Sequence, residues 1–155
     1  MRITVREATP DDATALQRLN AAFNGEGLPD AEMIRAALLR HLQEFTCIAE
    51  CDGVAVGFLC AQVHFSWCYE KPTVEIAELY VDAAYRRQGA ARQLMQLAEE
   101  IAVQRFGATK TVLLTGGHNL TAQTFYESQG YCRDDEIHYA KRLSPAPSTL
   151  SIPNS

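Results

Sequence analysis

"YRRQGAARQLM", residues 85–95, sets two adjacent arginines, a glutamine, a glycine and two alanines in front of an apolar repeat of helical period. The stretch before it, "TVEIAELYVD" (73–82), reads as a strand, so the segment between them is a turn from strand to helix. A helix N-terminus presents backbone N–H groups without partners inside the helix, together with the positive end of its macrodipole. Gly89, Ala90 and Ala91 keep the turn small enough for an anion to approach those N–H groups, and Arg86, Arg87 and Arg92 add positive charge. A phosphate or pyrophosphate is the guest that such a turn fits.

Downstream of the turn, Leu94, Met95, Leu97, Ala98, Ile101 and Ala102 recur at helical spacing, and the helix is expected to end near Gly107. "KTVLLTG" (110–116) is a continuous apolar run, the pattern of a strand buried on both faces. Asn119 or Thr121 can cap a short helix through Gln129, with Gly130 ending it, and "EIHYAKRL" (136–143) alternates as a last strand. Upstream, "RITVREA" (2–8) reads as a strand, and Thr9 as an N-cap with Pro10 at the first helical position of a helix carrying Leu16, Leu19 and Phe23. "NGEGLPD" breaks that helix and "AEMIRAALLRHLQ" restarts one. "FTCIAECDGVAVGFLCAQVHF" then folds two apolar runs about a Cys-Asp-Gly turn. The order predicts an α+β domain, with a mostly antiparallel sheet and one parallel strand–helix–strand step at its centre.

At 155 residues the chain has room for one ordinary domain, expected over 1–143, followed by a loose proline- and serine-rich tail over 144–155. Its net charge of −5 disfavours a nucleic-acid surface and is compatible with a cationic partner. No apolar run approaches the roughly 20 residues that span a bilayer, and the N-terminus has no signal-like apolar stretch, so a cytoplasmic location without membrane attachment is the default expectation. Five cysteines, an odd number with no C-x-x-C pair, point to buried reduced thiols and to no metal site.

Two familiar phosphate motifs are absent: there is no G-x-x-x-x-G-K-[ST], and no G-x-G-x-x-G follows a strand. What is present, R-x-x-G-x-A at Arg86, Gly89 and Ala91, resembles the acyl-coenzyme A pyrophosphate loop of the GNAT family of N-acetyltransferases. The surroundings extend the resemblance, since "AELYVDAAYRRQGAARQLM", "KTVLLTG" and "NLTAQTFYESQGY" follow one another in the family's order. It covers roughly residues 2–143 and is most specific over 75–131.

The resemblance implies the GNAT fold, with a sheet of about six or seven strands, about four helices and a splayed central strand pair. It implies acetyl-coenzyme A as cosubstrate, its pyrophosphate on the turn Arg86, Arg87, Gln88, Gly89, Ala90, Ala91 and Arg92, and its pantetheine arm along the main chain of Leu79, Tyr80 and Val81. An N–H near Val81 would polarise the thioester carbonyl. Asn119 resembles the family's pantetheine-binding Asn, with plain helix capping as the alternative. Tyr126 resembles the tyrosine that protonates the departing thiolate.

Amine acetylation needs a neutral amine, and a carboxylate at the sheet opening, directly or through water, can take the proton from an amine that arrives protonated. Glu78 stands where aminoglycoside-acetylating members carry one and Glu75 where histone-acetylating members do; Glu78 is the preferred base. The two point to opposite faces of a regular strand, and a bulge would change that parity. Glu26, Asp30 and Glu32 on the acceptor side, with Asp134, Asp135 and Glu136 after the last helix, favour a small polycationic acceptor and resemble the aminoglycoside 3-N-acetyltransferases. A solvated acidic surface is the plain alternative for these residues. A peptide or protein amine docking on "HFSWCYEKP", another small amine, and a coenzyme-binding module without turnover remain as rival readings. Family members often dimerise, which the residues of this chain leave open.

Overall fold

The structure, a computed structural model, describes residues 2–27, 29–40 and 42–145. Strand β1 (Ile3–Glu7) leads into a one-turn 3₁₀ helix, Pro10–Asp12, where the Thr9 N–H donates to Asp12 Oδ2 at 2.7 Å. Proline suits this first turn because its φ is already helical and its missing N–H would have had no partner. Helices α1 (Ala13–Asn24) and α2 (Ala31–Arg40) follow, the second capped by Asp30, whose Oδ1 accepts the Met33 N–H at 2.9 Å. Strands β2 (Glu44–Cys51) and β3 (Val54–His64) form the expected hairpin, turning through Asp52 and Gly53 at φ of 51° and 80°. Next come β4 (Thr73–Val81), α3 (Ala90–Phe106), β5 (Lys110–Leu113) and α4 (Leu120–Ser128).

The sheet order is β1-β2-β3-β4-β5, with β4 and β5 parallel and every other pair antiparallel. Leu16 and Leu19 of α1 pack on Ile48 and Phe58, with Ile34 and Leu38 of α2 beside them, so α1 and α2 cover one face. On the other face Phe45 stacks on Phe106 of α3 with ring centroids 5.8 Å apart, and buried Cys47, Ala49, Leu59 and Ala61 share its side of the strands. α3 buries Leu94, Met95, Ala98, Ile101 and Ala102, the stripe that its sequence period marked.

Two expectations are corrected. Among the described residues the sheet has five strands, not six or seven: "EIHYAKRL" alternates, but 136–143 forms no strand, and Ile137, Tyr139 and Leu143 are exposed. Alternation makes a strand only where a sheet edge supplies the hydrogen-bond partners, and none pairs with this segment among the described residues. β5 is the second correction. It stops at Leu113 and is only partly buried, with β4 as its strand partner among the described residues.

The chain divides into two compact units, Met1–Leu120 and Thr121–Ser155. The sheet and α1 to α3 lie in the first. Residues 146–155 of the expected tail lie outside the described residues. No helix among the described residues is long and apolar enough to cross a membrane.

Candidate active site

Pairing between β4 and β5 runs only from Thr73↔Lys110 to Ile76↔Leu113, whereas β4 continues to Val81. Among the described residues its last ones therefore have β3 on one side and an open edge on the other, which is the splayed pair expected. The Asp82 N–H donates to Val56 O at 2.8 Å. By the alternation of an antiparallel ladder, Tyr80 also turns its main-chain groups to β3, while Leu79 and Val81 turn theirs to the open side. Gly57, opposite Val81, makes this end of β4 fit: a Cβ there would lie 2.7 Å from Tyr80 O.

The end of β4 is braced from α1. Tyr80 stacks on Phe23 (5.2 Å between centroids) and donates its hydroxyl to Asp82 Oδ1 at 3.0 Å, and Arg18 reaches Asp82 Oδ2 at 3.2 Å and Ala55 O. Arg86 crosses back from the turn, its Nε donating to Val81 O at 2.9 Å with the guanidinium over the Tyr80 ring. Its side chain thus ties the turn to the strand.

Within the turn, Arg87 (φ 61°) and Gly89 (φ 86°) are both left-handed. Such alternation aims successive N–H groups into one concavity. The Gln93 N–H to Gly89 O bond (3.0 Å) is the first inside α3, which leaves the N–H groups of Gly89, Ala90, Ala91 and Arg92 ahead of it. Among the described residues those of Arg87 and Gln88 meet no acceptor either. A Cβ on Gly89 would meet nothing closer than 3.8 Å, so the protein leaves the mouth of the helix clear. These features fit a pyrophosphate.

Next to this edge, in the same unit, lies a cavity of about 670 Å³ between the sheet and α1 and α2. Thr46, Cys60 and Glu78 form one row of its floor, on facing positions of β2, β3 and β4. The register slips between Cys60↔Glu78 and Ala61↔Ile76, making Ala77 an extra residue in β4. This bulge settles the parity question: Glu78 opposes Cys60 and Glu75 opposes Gln62, two residues on one face of β3, so both glutamates lie on the acceptor face. They then part company, since Glu75 Oε2 pairs with His64 Nε2 at 3.2 Å while Glu78 lines the cavity. Burial pushes the Glu78 carboxyl above the ordinary carboxylate range.

Glu44 is the lining residue that sequence reasoning missed. It accepts the Cys60 thiol hydrogen at 2.6 Å, and burial followed by this bond pushes the thiol far up. Its signal was the even spacing Glu44, Thr46, Ile48 on a strand whose Ile48 is core. At the far end Arg105 is held by Glu7 through bonds of 2.8 and 2.6 Å. Glu26 is exposed and Asp30 caps α2, and neither lines the cavity. All five cysteines are free, and burial pushes Cys47 up to about 12.

Asn119 sits between β5 and α4, its N–H donating to Gly116 O at 3.0 Å. In the second unit, Tyr126 is half-buried on α4, its ring 5.4 Å from Phe125 and 6.2 Å from Tyr131, and burial pushes its phenol up. Asp134, Asp135 and Glu136 are exposed there, and Asp134 Oδ1 accepts the Glu136 N–H at 3.1 Å. Among the described residues no group of His, Cys, Asp or Glu could hold a metal ion.

Comparison with known proteins bears on this geometry. The chain is similar to an uncharacterized N-acetyltransferase, YhfO, of Bacillus subtilis, at 30% identity over 88% of this chain and 95% of that protein. It is similar to the aminoglycoside N(6′)-acetyltransferase type 1 of Salmonella typhimurium at 32% identity, covering 74% of this chain and 79% of the relative. That relative is of the 6′ type, not the 3-N type to which residues 134–136 pointed. In fold the chain resembles AAC(6′)-Iy, solved with a bisubstrate analog joining coenzyme A to acetylneamine, with a TM-score of 0.80, 22% identity, and coverage of 92% of this chain and 100% of that one. The model of the acetyltransferase (GNAT) family matches residues 13–131, and the chain belongs to that family.

Proposed function

We propose that this acetyltransferase moves the acetyl group of acetyl-coenzyme A directly to a primary amine of a small polycationic acceptor, an aminoglycoside before other amines. The observation that carries the reading is Glu78, a partly buried carboxylate turned into a cavity by a bulge, immediately before the open main-chain edge that leads to the anion-binding turn.

The N–H groups of residues 87–92 take the pyrophosphate, with Arg87, Gln88 and Arg92 lending side chains at the mouth. Leu79 offers its open main-chain groups to the pantetheine arm, Asn119 adds a side-chain contact, and the N–H of Val81, whose carbonyl Arg86 holds, stabilises the oxyanion. Glu78 takes the ammonium proton. The amine nitrogen then attacks the thioester carbon, a C–N bond forms, the C–S bond breaks, the thiolate leaves with a proton from Tyr126, and the proton shed by the acetylated nitrogen restores the Tyr126 phenol. A raised phenol pKa keeps Tyr126 protonated at neutral pH, as an acid requires. Glu75, paired with His64, is the reserve base.

The aminoglycoside N(6′)-acetyltransferase relative supports the acceptor class, and the carboxylates Glu78 and Glu44 on the cavity floor suit an ammonium. One observation favours a second reading: Trp67 (96% exposed) and Tyr69 (75%) stand out on the β3–β4 loop, a surface for a peptide amine. A coenzyme binder without turnover would have no use for the desolvated Glu78. The test is thiol release from acetyl-coenzyme A across aminoglycosides, polyamines, amino acids and short peptides. Turnover with the aminoglycosides is expected; turnover with peptides alone would transfer the reading to the loop, and none at all to the binding module. Light scattering of the purified chain tests whether it forms a homodimer, as family members often do.

A further inference from the structure

The acceptor cavity is two-sided in its chemistry. Its floor carries Glu44, Cys60 and Glu78, whereas its roof is made by Met33, Ile34, Ala37 and Leu38 of α2, facing Phe58 on the sheet. Met33 remains 48% exposed, so this roof includes apolar surface that the fold does not cover. An aminoglycoside can set an ammonium on the floor, but its hydroxyls would lose water against the roof and find no partners there.

We infer that the cavity also takes primary amines carried on an aliphatic or aromatic body, with the ammonium at Glu78 and the body under α2 against Phe58. The inference rests on the acetyl-transfer reading and extends it to a second acceptor class. The step is the same one: the C–N bond forms, the C–S bond of acetyl-coenzyme A breaks, the ammonium proton passes to Glu78, and the thiolate is released as the thiol. The neutral amide product has no charge left for the floor, which favours its departure. Selection among these amines comes from burial of the body, since every methylene that enters the cavity leaves water.

The test uses the full chain and thiol release from acetyl-coenzyme A with n-alkylamines from propyl to octyl, 2-phenylethylamine and kanamycin. kcat/KM should rise roughly two- to fourfold per methylene until the cavity is filled. Ile34→Asn should flatten the series, while Leu39→Asn, on the same helix but outside the cavity and 70% exposed, should leave it as steep as in the unaltered protein. A flat alkylamine series alongside kanamycin turnover would overturn this inference and leave the aminoglycoside reading standing. A steep series that Ile34→Asn does not flatten, with the variant folded by its thermal melt, would also overturn it. No turnover with any amine would overturn the acetyl-transfer reading beneath it.

Discussion

The turn at residues 86–92 and the cavity under α2 lie in one structural unit but are made of different material. The turn is main chain: left-handed Arg87 and Gly89, the N–H groups ahead of the first bond of α3, and an arginine that ties the loop to Val81. The cavity is side chains drawn from β1 to β4 and from α1, α2 and α3. A site made of backbone needs only a few residues that permit its conformation, so a short pattern can describe it. A site made of side chains depends on register and packing, and can change its guest while the pattern stays the same.

Experiments can break or sharpen that contrast. The largest effect is expected where the halves meet. Glu78→Gln should lower kcat/KM by roughly 10²–10⁴, and because burial raises the Glu78 pKa, the acid limb of the wild-type pH profile should lie above the ordinary carboxylate range. The variant should lack that limb; an unchanged profile would hand the base role to Glu75. Tyr126→Phe should lower kcat by roughly 10- to 100-fold with coenzyme affinity unaltered by calorimetry, and an unaltered kcat would remove Tyr126 from the acid role.

Gly57→Ala tests whether the two halves share a backbone. Its Cβ would meet Tyr80 O at 2.7 Å, so β4 must shift, at a cost of about 1–3 kcal/mol in a urea melt. A stability equal to wild type would mean that β4 yields freely at this point. Gly89→Val should raise the dissociation constant of coenzyme A about tenfold, because valine is strained at a φ of 86°. The acceptor KM should stay put, and a matching rise there would deny that the turn is a separate device.

The smallest effect is one of stability. A carboxyl whose folded pKa is raised makes the native state bind more protons than the unfolded chain between the two pKa values, so stability falls as pH rises through that window. Glu78→Gln should therefore raise Tm slightly at pH 7. The difference should vanish below the unfolded carboxylate pKa of about 4.3, where both side chains are neutral. A variant less stable at pH 7 would show that the Glu78 charge supports the fold.

Periodicity found α3, the hairpin and the strand before the turn because each repeats a pattern over many residues. It erred at "EIHYAKRL", where alternation describes a face and says nothing about whether an edge is there to pair with it. It placed Glu26 and Asp30 on the acceptor side for their charge, although charge alone cannot separate a helix cap such as Asp30 from a ligand group.

Determined by the sequence alone are the features that depend on neighbours along the chain: the small basic turn, the amphipathic stripe of α3, the Cys-Asp-Gly hairpin and the order of motifs that marks the family. The tertiary structure decided what depends on neighbours across the sheet. Whether Glu75 and Glu78 share a face turned on one extra residue, Ala77, and the bond between Glu44 and Cys60 joins residues sixteen apart on neighbouring strands. The physical reason is that a bulge and a cross-strand contact are set by pairing between distant segments, and local propensity carries no record of the partner strand's register.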